Sequence, residues 1–165
     1  MVIDALRGQL QRVQALSDDI EDIERKLALW KKEDAAAKRL MAIPGVGLLT
    51  ATAAVATIGD AKVFKNGRQF AAFLGLVPRQ AGTGGKVRLF GISKRGDTYL
   101  RKLLIHGARS VITHQKARAP WLEQLLARRP FNAAVVALAN KMARTIWALL
   151  AHDRTYQNGV TAQAA

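Results

Sequence analysis

Residues 82–101, with the sequence GTGGKVRLFGISKRGDTYLR, concentrate the residue types that could do chemistry in this chain. A cluster of glycines lies next to several cations there, and Asp97 is the only acid. Glycines let backbone N–H groups approach a bulky anion, and neighbouring cations hold phosphate by charge. The stretch therefore predicts a phosphodiester ligand. Its glycine cluster consists of Gly82, Gly84 and Gly85, then Gly91, and its cations are Lys86, Arg88, Lys94, Arg95 and Arg101, with Lys102 just beyond.

Two hydroxyl groups in this stretch could attack a phosphodiester. Thr83 lies within the glycine cluster, and Ser93 directly precedes Lys94 and Arg95. Such an attack needs no metal where cations stabilise the charge of the transition state. Either hydroxyl could instead stabilise a turn or cap a helix. Thr83 and Ser93 are therefore the candidate catalytic residues, with the turn or cap as the alternative for each.

Other catalytic chemistries lack their residue patterns. The four acids after residue 34 are scattered, and none has the paired spacing of a metal site. The G-x-S-x-G motif of serine hydrolases is absent, and the three histidines are interpreted as structural or surface residues. Without cysteine there is no disulfide and no thiolate metal site. We expect no metal ligands in this chain.

The positive charge is confined to the C-terminal part of the chain. Residues 1–34 hold eight acids and six bases, whereas residues 35–165 hold 20 bases and four acids. Such a charge repels itself unless a polyanion neutralises it, so nucleic acid is the predicted partner. The alternative is a merely soluble or ribosome-like basic surface.

Neither a membrane partner nor export is predicted. The longest apolar runs, residues 48–58 and 133–139, are shorter than the roughly 20 residues that cross a bilayer. The N-terminus has no hydrophobic signal region. We expect a bacterial protein of the cytoplasm that associates with the nucleoid.

A long helix with one apolar stripe should precede the basic domain. Apolar residues recur at steps of three or four over residues 3–30, which is typical of a helix that pairs with another helix. We therefore predict a coiled-coil arm that joins the chain into a homodimer or higher oligomer. The alternative is a helix that lies back on its own domain. The stripe consists of Leu6, Leu10, Val13, Leu16, Ile20, Ile23, Leu27 and Trp30.

The next segment has the pattern of a helix–hairpin–helix motif. A helix over residues 35–42 is followed by the turn IPGVG at residues 43–47 and by a second helix over residues 48–58. In this arrangement Gly45 and Gly47 shape the turn, and N–H groups that open the second helix grip a DNA phosphate without reading bases. Because the second helix is very apolar, the alternative is a turn that serves packing only.

The remaining pattern is also helical, and the predicted fold class is all-α. Helices are expected over residues 68–74, from residue 98 for about 18 residues with Asp97 as N-cap, over 121–127, and over 131–152. Residues 87–90 alternate faintly, as in a small hairpin. Arg101 should project near Lys94 and Arg95 at a helix start. The predicted divisions are an arm (1–34), a helical domain (35–154) with a glycine and basic loop (79–97), and a flexible tail (155–165).

Three segments resemble a known family. IPGVGLLTATAAVATIGD, FLGLVPRQ and GTGGKVRLFGISKRGDTYLRKLLIHGAR are similar to the C-terminal serine domain of bridge-RNA-guided insertion-sequence transposases. In that family, an N-terminal RuvC-like DEDD nuclease domain and a long coiled coil precede this domain. The resemblance covers roughly residues 35–154. It implies DNA recombination, in which a serine becomes covalently linked to DNA and the acids of the nuclease domain complete the site.

The sequence departs from the family pattern at the nucleophile. Where a serine should precede the glycine pair, the residues are Ala81, Gly82 and Thr83. Three interpretations follow: Thr83 substitutes for serine, Ser93 serves instead, or this copy is inactive. The cations fit DNA-phosphate binding in each case.

The acidic half of the family is missing from the sequence. The chain therefore resembles a fragment, an isolated domain or a truncated element, and magnesium is expected only in the missing nuclease domain. Alone, the chain should bind DNA and dimerise but not recombine. A guide RNA is an additional implied partner. The alternative function is a non-catalytic architectural protein that binds DNA or RNA through the hairpin and the basic loop.

Overall fold

The described part of the chain is mainly helical, as predicted, with one small sheet. The computed structural model describes residues 2–83, 86–115 and 118–157. Most of the predicted tail, residues 155–165, lies outside these residues. The helices are α1 (Val2–Glu33), α2 (Ala35–Leu40), α3 (Leu48–Ile58), α4 (Gly67–Phe73), α5 (Thr98–His114), α6 (Pro120–Arg128) and α7 (Phe131–Ala151); a 3₁₀ turn spans Ala61–Val63, and the strands are β1 (Pro78–Thr83) and β2 (Lys86–Ile92).

Helix α7 is the centre of the core. Val135, Ala139, Met142, Ile146 and Leu149 recur on one face and are buried. The helix packs against α4, α5, α6 and α2. By length and composition alone it could also cross a membrane. Core helices share these features, and the inward face of α7 is covered by the other helices.

Helix α1 forms as one continuous arm, and its apolar stripe is open to solvent. The residues from Leu6 to Ile23 in the stripe are 53–70% exposed. The arm contacts α2 and α3, and Leu27 is half-buried. In the single chain, the helical domain does not cover the stripe, which disfavours a helix lying back on its own domain. The coiled coil itself stays a prediction.

The helices α1 and α2 are separated by one residue, Asp34, which caps α2. α1 continues to Glu33, and the Asp34 carboxylate accepts hydrogen bonds from Ala36 N at 2.7 Å and Ala37 N at 3.0 Å. The cap satisfies two amides that would lack partners at the start of α2. The arm is therefore directly connected to the domain.

The predicted loop at residues 79–97 is largely an antiparallel two-stranded ribbon. Pro78 begins β1. Proline is tolerated there because the first residue of an edge strand needs no N–H bond. Phe73, the last residue of α4, is 43% exposed, and the centroid of its ring lies 5.3 Å from that of Phe64.

Candidate nucleic-acid interface

The ribbon formed by β1 and β2 separates its residues onto two faces. Ala81 pairs with Arg88 and Gln80 with Leu89, and a register shift lies between Pro78 and Gln80. Side chains directly opposite each other share a face, and successive side chains alternate. We call one side the basic face; it consists of Arg79, Lys86, Arg88 and Phe90.

The basic face is open to solvent along its length. Arg79, Lys86 and Arg88 are exposed, and Phe90 is 46% exposed. The Arg79 guanidinium carbon lies 5.2 Å from the centroid of the Phe90 ring, a cation–π contact. Neither strand contains an acid. A two-stranded ribbon of this kind can enter a DNA major groove or follow a phosphate backbone.

A basic turn at residues 94–96 follows the ribbon and is fixed by its backbone. Ser93 N donates to Val77 O at 2.8 Å, and Lys94 N donates to Gly75 O at 3.1 Å. Lys94 has a left-handed φ of 56°, which non-glycine residues adopt only where the surroundings enforce it. Lys94 and Arg95 are exposed. The fold therefore presents these two cations at a defined position.

Two glycines let the basic turn lie against the end of α4. Gly75 has φ +69°, and a Cβ there would lie 2.2 Å from Arg95 O. Gly96 has φ +84°, and a Cβ there would lie 1.7 Å from Phe73 O. Neither position can carry a side chain without moving the backbone. The glycines serve this contact between two backbones.

Arg101 lies behind the basic turn and is only 7% exposed. Its Nη1 donates to Leu74 O at 2.9 Å, Arg95 O at 3.2 Å and Asp97 O at 3.4 Å, and its Nη2 donates to Thr98 Oγ1 at 3.0 Å. This differs from the expectation that Arg101 projects beside Lys94. The guanidinium holds the basic turn from inside and does not face solvent.

Asp97, the acid of this stretch, caps α5 as predicted. Its Oδ1 accepts from Leu100 N at 2.8 Å, and its Oδ2 accepts from the Thr57 hydroxyl at 3.4 Å. A capping carboxylate is held at the positive end of the helix dipole. The cap fixes where α5 starts and so where the basic turn ends.

The predicted hairpin places its two glycines in different surroundings. Gly45, at φ +83°, lies against α5, where an added Cβ would be 2.7 Å from Gly107 O. Gly47 is exposed, and an added Cβ would meet no atom within 4 Å. Gly45 thus has a packing role, which favours the packing alternative for that residue.

The N-terminus of α3 opens into a cleft of about 800 Å³. Gly47 is the N-cap residue, and no side chain in the described chain caps this helix. Glu24 of the arm and His106 of α5 line the same cleft. Free amides favour an anion there, while the Glu24 carboxylate opposes one.

The two candidate nucleophiles lie at opposite ends of the ribbon. The backbone of Thr83 pairs with Lys86 at its tip, and Ser93 follows β2 at its base. Seven residues of extended strand separate Lys86 from Ser93, about 23 Å. The Thr83 side chain, Gly84 and Gly85 lie outside what the structure describes. Thr83 would act beside Lys86 and Arg88, whereas Ser93 would act beside Lys94 and Arg95.

The residues that the structure describes do not form a magnesium site. Among the described residues, no group of three histidines or acids could hold a metal ion. Asp34, Asp60 and Asp97 cap helices, and Asp153 forms an ion pair with Arg39. No step is therefore assigned to a metal in this chain.

Two residues of the basic face were missed from the sequence. Arg79 was placed in a loop, and Phe90 was treated only as part of a faint strand. The alternation of Lys86, Arg88 and Phe90 was the sequence feature that could have placed Phe90 on the same face as the two cations. The pairing that brings Arg79 beside Phe90 could not be read without the register of the ribbon.

Comparison with known proteins identifies the family. The family model of the transposase IS116/IS110/IS902 family matches residues 37–122. A probable family 20 transposase of Pseudomonas aeruginosa is 51% identical over 158 residues, which are 93% of this chain and 47% of that protein. The transposase for insertion sequence element IS1111A of Coxiella burnetii is 49% identical over 144 residues, 85% of this chain and 40% of that protein.

A third relative has the same coverage pattern. The transposase for insertion sequence element IS1328 of Yersinia enterocolitica is 46% identical over 136 residues, 80% of this chain and 41% of that protein. The chain thus spans less than half the length of these curated relatives. The match includes the hairpin, the ribbon, the basic turn and α5, as the sequence resemblance implied. The chain belongs to the transposase IS116/IS110/IS902 family.

Proposed function

We propose that this chain is the DNA-binding and strand-transfer part of an insertion-sequence transposase. The observation that carries the proposal is the cationic surface formed by the ribbon and the basic turn. Lys86, Arg88, Lys94 and Arg95 are exposed there, and the one acid of the stretch is used as a helix cap. Phosphate contacts by such cations give affinity without reading sequence.

The proposed DNA surface has two parts, one formed by side-chain cations and the other by backbone amides. The ribbon and basic turn supply side-chain cations on a fixed backbone. The N-terminus of α3 at Gly47 supplies backbone amides, so Gly45 and Gly47 form a second, predicted contact in which Gly45 acts by shaping the turn. Gly84 and Gly85 at the ribbon tip remain predicted contacts. Arg101 supports the surface from within and is left out of the contacts.

In the strand-transfer step, a protein hydroxyl oxygen attacks phosphorus of a DNA phosphodiester. A bond from phosphorus to that oxygen forms while the bond to a sugar oxygen breaks, and one proton passes from the protein hydroxyl to the departing sugar oxygen. Thr83 or Ser93 is the candidate nucleophile, and the adjacent cations stabilise the negative charge on the phosphoryl oxygens in the transition state. The reaction belongs to the whole transposase, in which the other half and a guide RNA take part.

DNA binding is tested by its dependence on salt. Replacing Lys94 and Arg95 together with alanine should weaken binding of duplex DNA and lower the slope of log K against log salt by roughly one unit per lost phosphate contact. The control replaces Arg7 and Arg12 on the arm, which removes the same charge far from the ribbon. An unchanged slope for the Lys94 and Arg95 variant would show that DNA binds elsewhere.

Strand transfer is tested by trapping a covalent protein–DNA adduct. The chain is incubated with a supplied nuclease half, guide RNA and target DNA, and adducts are resolved under denaturing conditions. Loss of the adduct in Thr83→Ala, with retention in Ser93→Ala, assigns Thr83; the reverse assigns Ser93.

A non-catalytic architectural role is the second candidate function. The observation that favours it is the absence of serine at residues 81–83, where the family pattern places one. An architectural protein would bind DNA with the same salt dependence but form no adduct under any of these conditions. In either role, we propose that the protein acts on the bacterial nucleoid in the cytoplasm and associates through its arm.

A further inference from the structure

A surface that binds only phosphates does not require an exposed aromatic ring such as that of Phe90. Its ring is 46% exposed among cations, on strands without any acid. Phosphate binding needs charge and hydrogen-bond donors, and a benzene ring supplies neither. An apolar ring surrounded by cations matches a ligand with both an apolar surface and negative charge.

Unpaired nucleotides have this combination of properties. Each base of a single strand offers a π-face, and each is flanked by phosphates. In a duplex the bases are stacked on one another, so their π-faces are not available to a protein side chain. Aromatic residues beside cations are the usual means by which proteins bind single strands.

We propose that the basic face of the ribbon binds single-stranded DNA, with an unpaired base stacked on Phe90 and the flanking phosphates held by Arg79, Lys86 and Arg88. The proposal rests on the proposed function, because it takes DNA as the ligand. It adds that this part of the surface binds the unpaired state.

The Arg79–Phe90 contact supports this assignment. The guanidinium lies over the ring at 5.2 Å while the ring stays half exposed, so one side is occupied by a cation and ring surface remains for a base. A guanidinium is itself planar and can stack on a base or bind a phosphate. The pair thus forms a platform that is partly assembled before DNA binds.

The opposite face of the ribbon offers a matched control. Leu89 is adjacent in sequence and more exposed than Phe90, at 65%, and its side chain projects to the other side. Loss of either side chain removes apolar surface from the same exposed strand. Only the loss of Phe90 removes a stacking partner from the basic face.

The experiment measures binding of a fluorescent oligothymidine strand and of a duplex of the same length. Phe90→Ala should weaken single-strand binding about tenfold and leave duplex binding within a factor of about two, because each stacked base contributes at this level. Phe90→Leu should behave like the alanine variant, since it keeps apolar bulk without a π-face. Phe90→Tyr should retain binding, and Leu89→Ala should change neither ligand.

Several results would overturn the proposal. Equal losses for single strand and duplex, or no loss for either, would remove Phe90 from a stacking site. Tighter binding of oligouridine than of oligothymidine, lost in Phe90→Ala, would assign the site to RNA. If one of these results occurs while duplex binding still depends on Lys94 and Arg95, the proposed function stands and this inference alone fails.

Discussion

At the scale of single residues, burial separates cations that bind a ligand from those that build the binding surface. Arg101 and Lys102 are neighbours in sequence, but the first is buried against carbonyl oxygens and the second is exposed. Buried guanidinium groups are stable in proteins only when their donors are satisfied, and here the partners are backbone oxygens of the basic turn and of α4. In the proposed DNA interface, Arg101 therefore has a positioning role only, through Lys94 and Arg95.

This role predicts a large effect of Arg101 on stability. Arg101→Met should lower the free energy of unfolding by about 2–4 kcal/mol, because the carbonyl oxygens of Leu74 and Arg95 lose a buried donor. Lys102→Met, on the exposed side of the same helix, should change it by less than about 0.5 kcal/mol. Urea unfolding followed by circular dichroism measures both. Similar small effects of the two substitutions would contradict the role of Arg101 in holding the basic turn.

The same comparison shows which residue roles could be predicted. Asp97 was predicted correctly as a cap because the signal is local: a carboxylate directly before a periodic apolar segment. Arg101 was misplaced because Leu74, one of its partners, is 27 positions earlier in the chain. A basic residue in a basic segment gives no local sign of burial.

At the scale of elements, periodicity predicts the helices well and the ribbon poorly. α3 has the predicted bounds, and α5 starts at the predicted residue, because apolar spacing and caps are contained within each helix. The ribbon depends on pairing between two short strands across glycines, which periodicity does not report. The helices that flank the site were therefore predicted, but the ribbon, and with it the face shared by Arg79 and Phe90, was not.

Two alternative roles of the hairpin between α2 and α3, packing and phosphate binding, can be separated by substitution. Gly47 has extended backbone angles and open space around it, so it accepts a side chain. Gly47→Asp should cap α3 and place a negative charge where a phosphate would bind, which should weaken duplex binding by a factor of about five. Binding is measured by fluorescence anisotropy at low salt, where the charge effect is largest.

Two controls isolate the local effect of that charge. Gly47→Ala adds a side chain without charge and should keep DNA affinity. Gly8→Asp adds the same charge on the arm, at a glycine that also has open space around it. If Gly47→Asp binds duplex DNA as well as both controls do, the hairpin serves packing only.

At the scale of the whole molecule, charge distinguishes an acidic arm from a basic domain. The arm is 32 residues long, or about 48 Å as an α-helix. Ion pairs form along the helix, among them Asp22–Lys26 at 2.6 Å, which lowers the pKa of Asp22 and raises that of Lys26. Two basic domains repel each other, so an association surface away from them is favourable. The sequence of one chain does not predict how two associated chains would be arranged.

The exposed stripe of α1 predicts self-association through the arm. Replacing Ile20 and Ile23 with aspartate should convert the oligomer to monomer, because each buried apolar contact would be replaced by a charge facing a like charge across the helix pair. Sedimentation or light scattering measures the mass in solution. The matched control replaces Gln11 and Ala15 with aspartate, which adds the same charge on the opposite side of the helix and should leave the oligomer intact. Circular dichroism confirms that the arm stays helical in both variants, so a change in mass reports contact between arms. If the Ile20 and Ile23 variant keeps the mass of the unmodified protein, the arm is not the association surface.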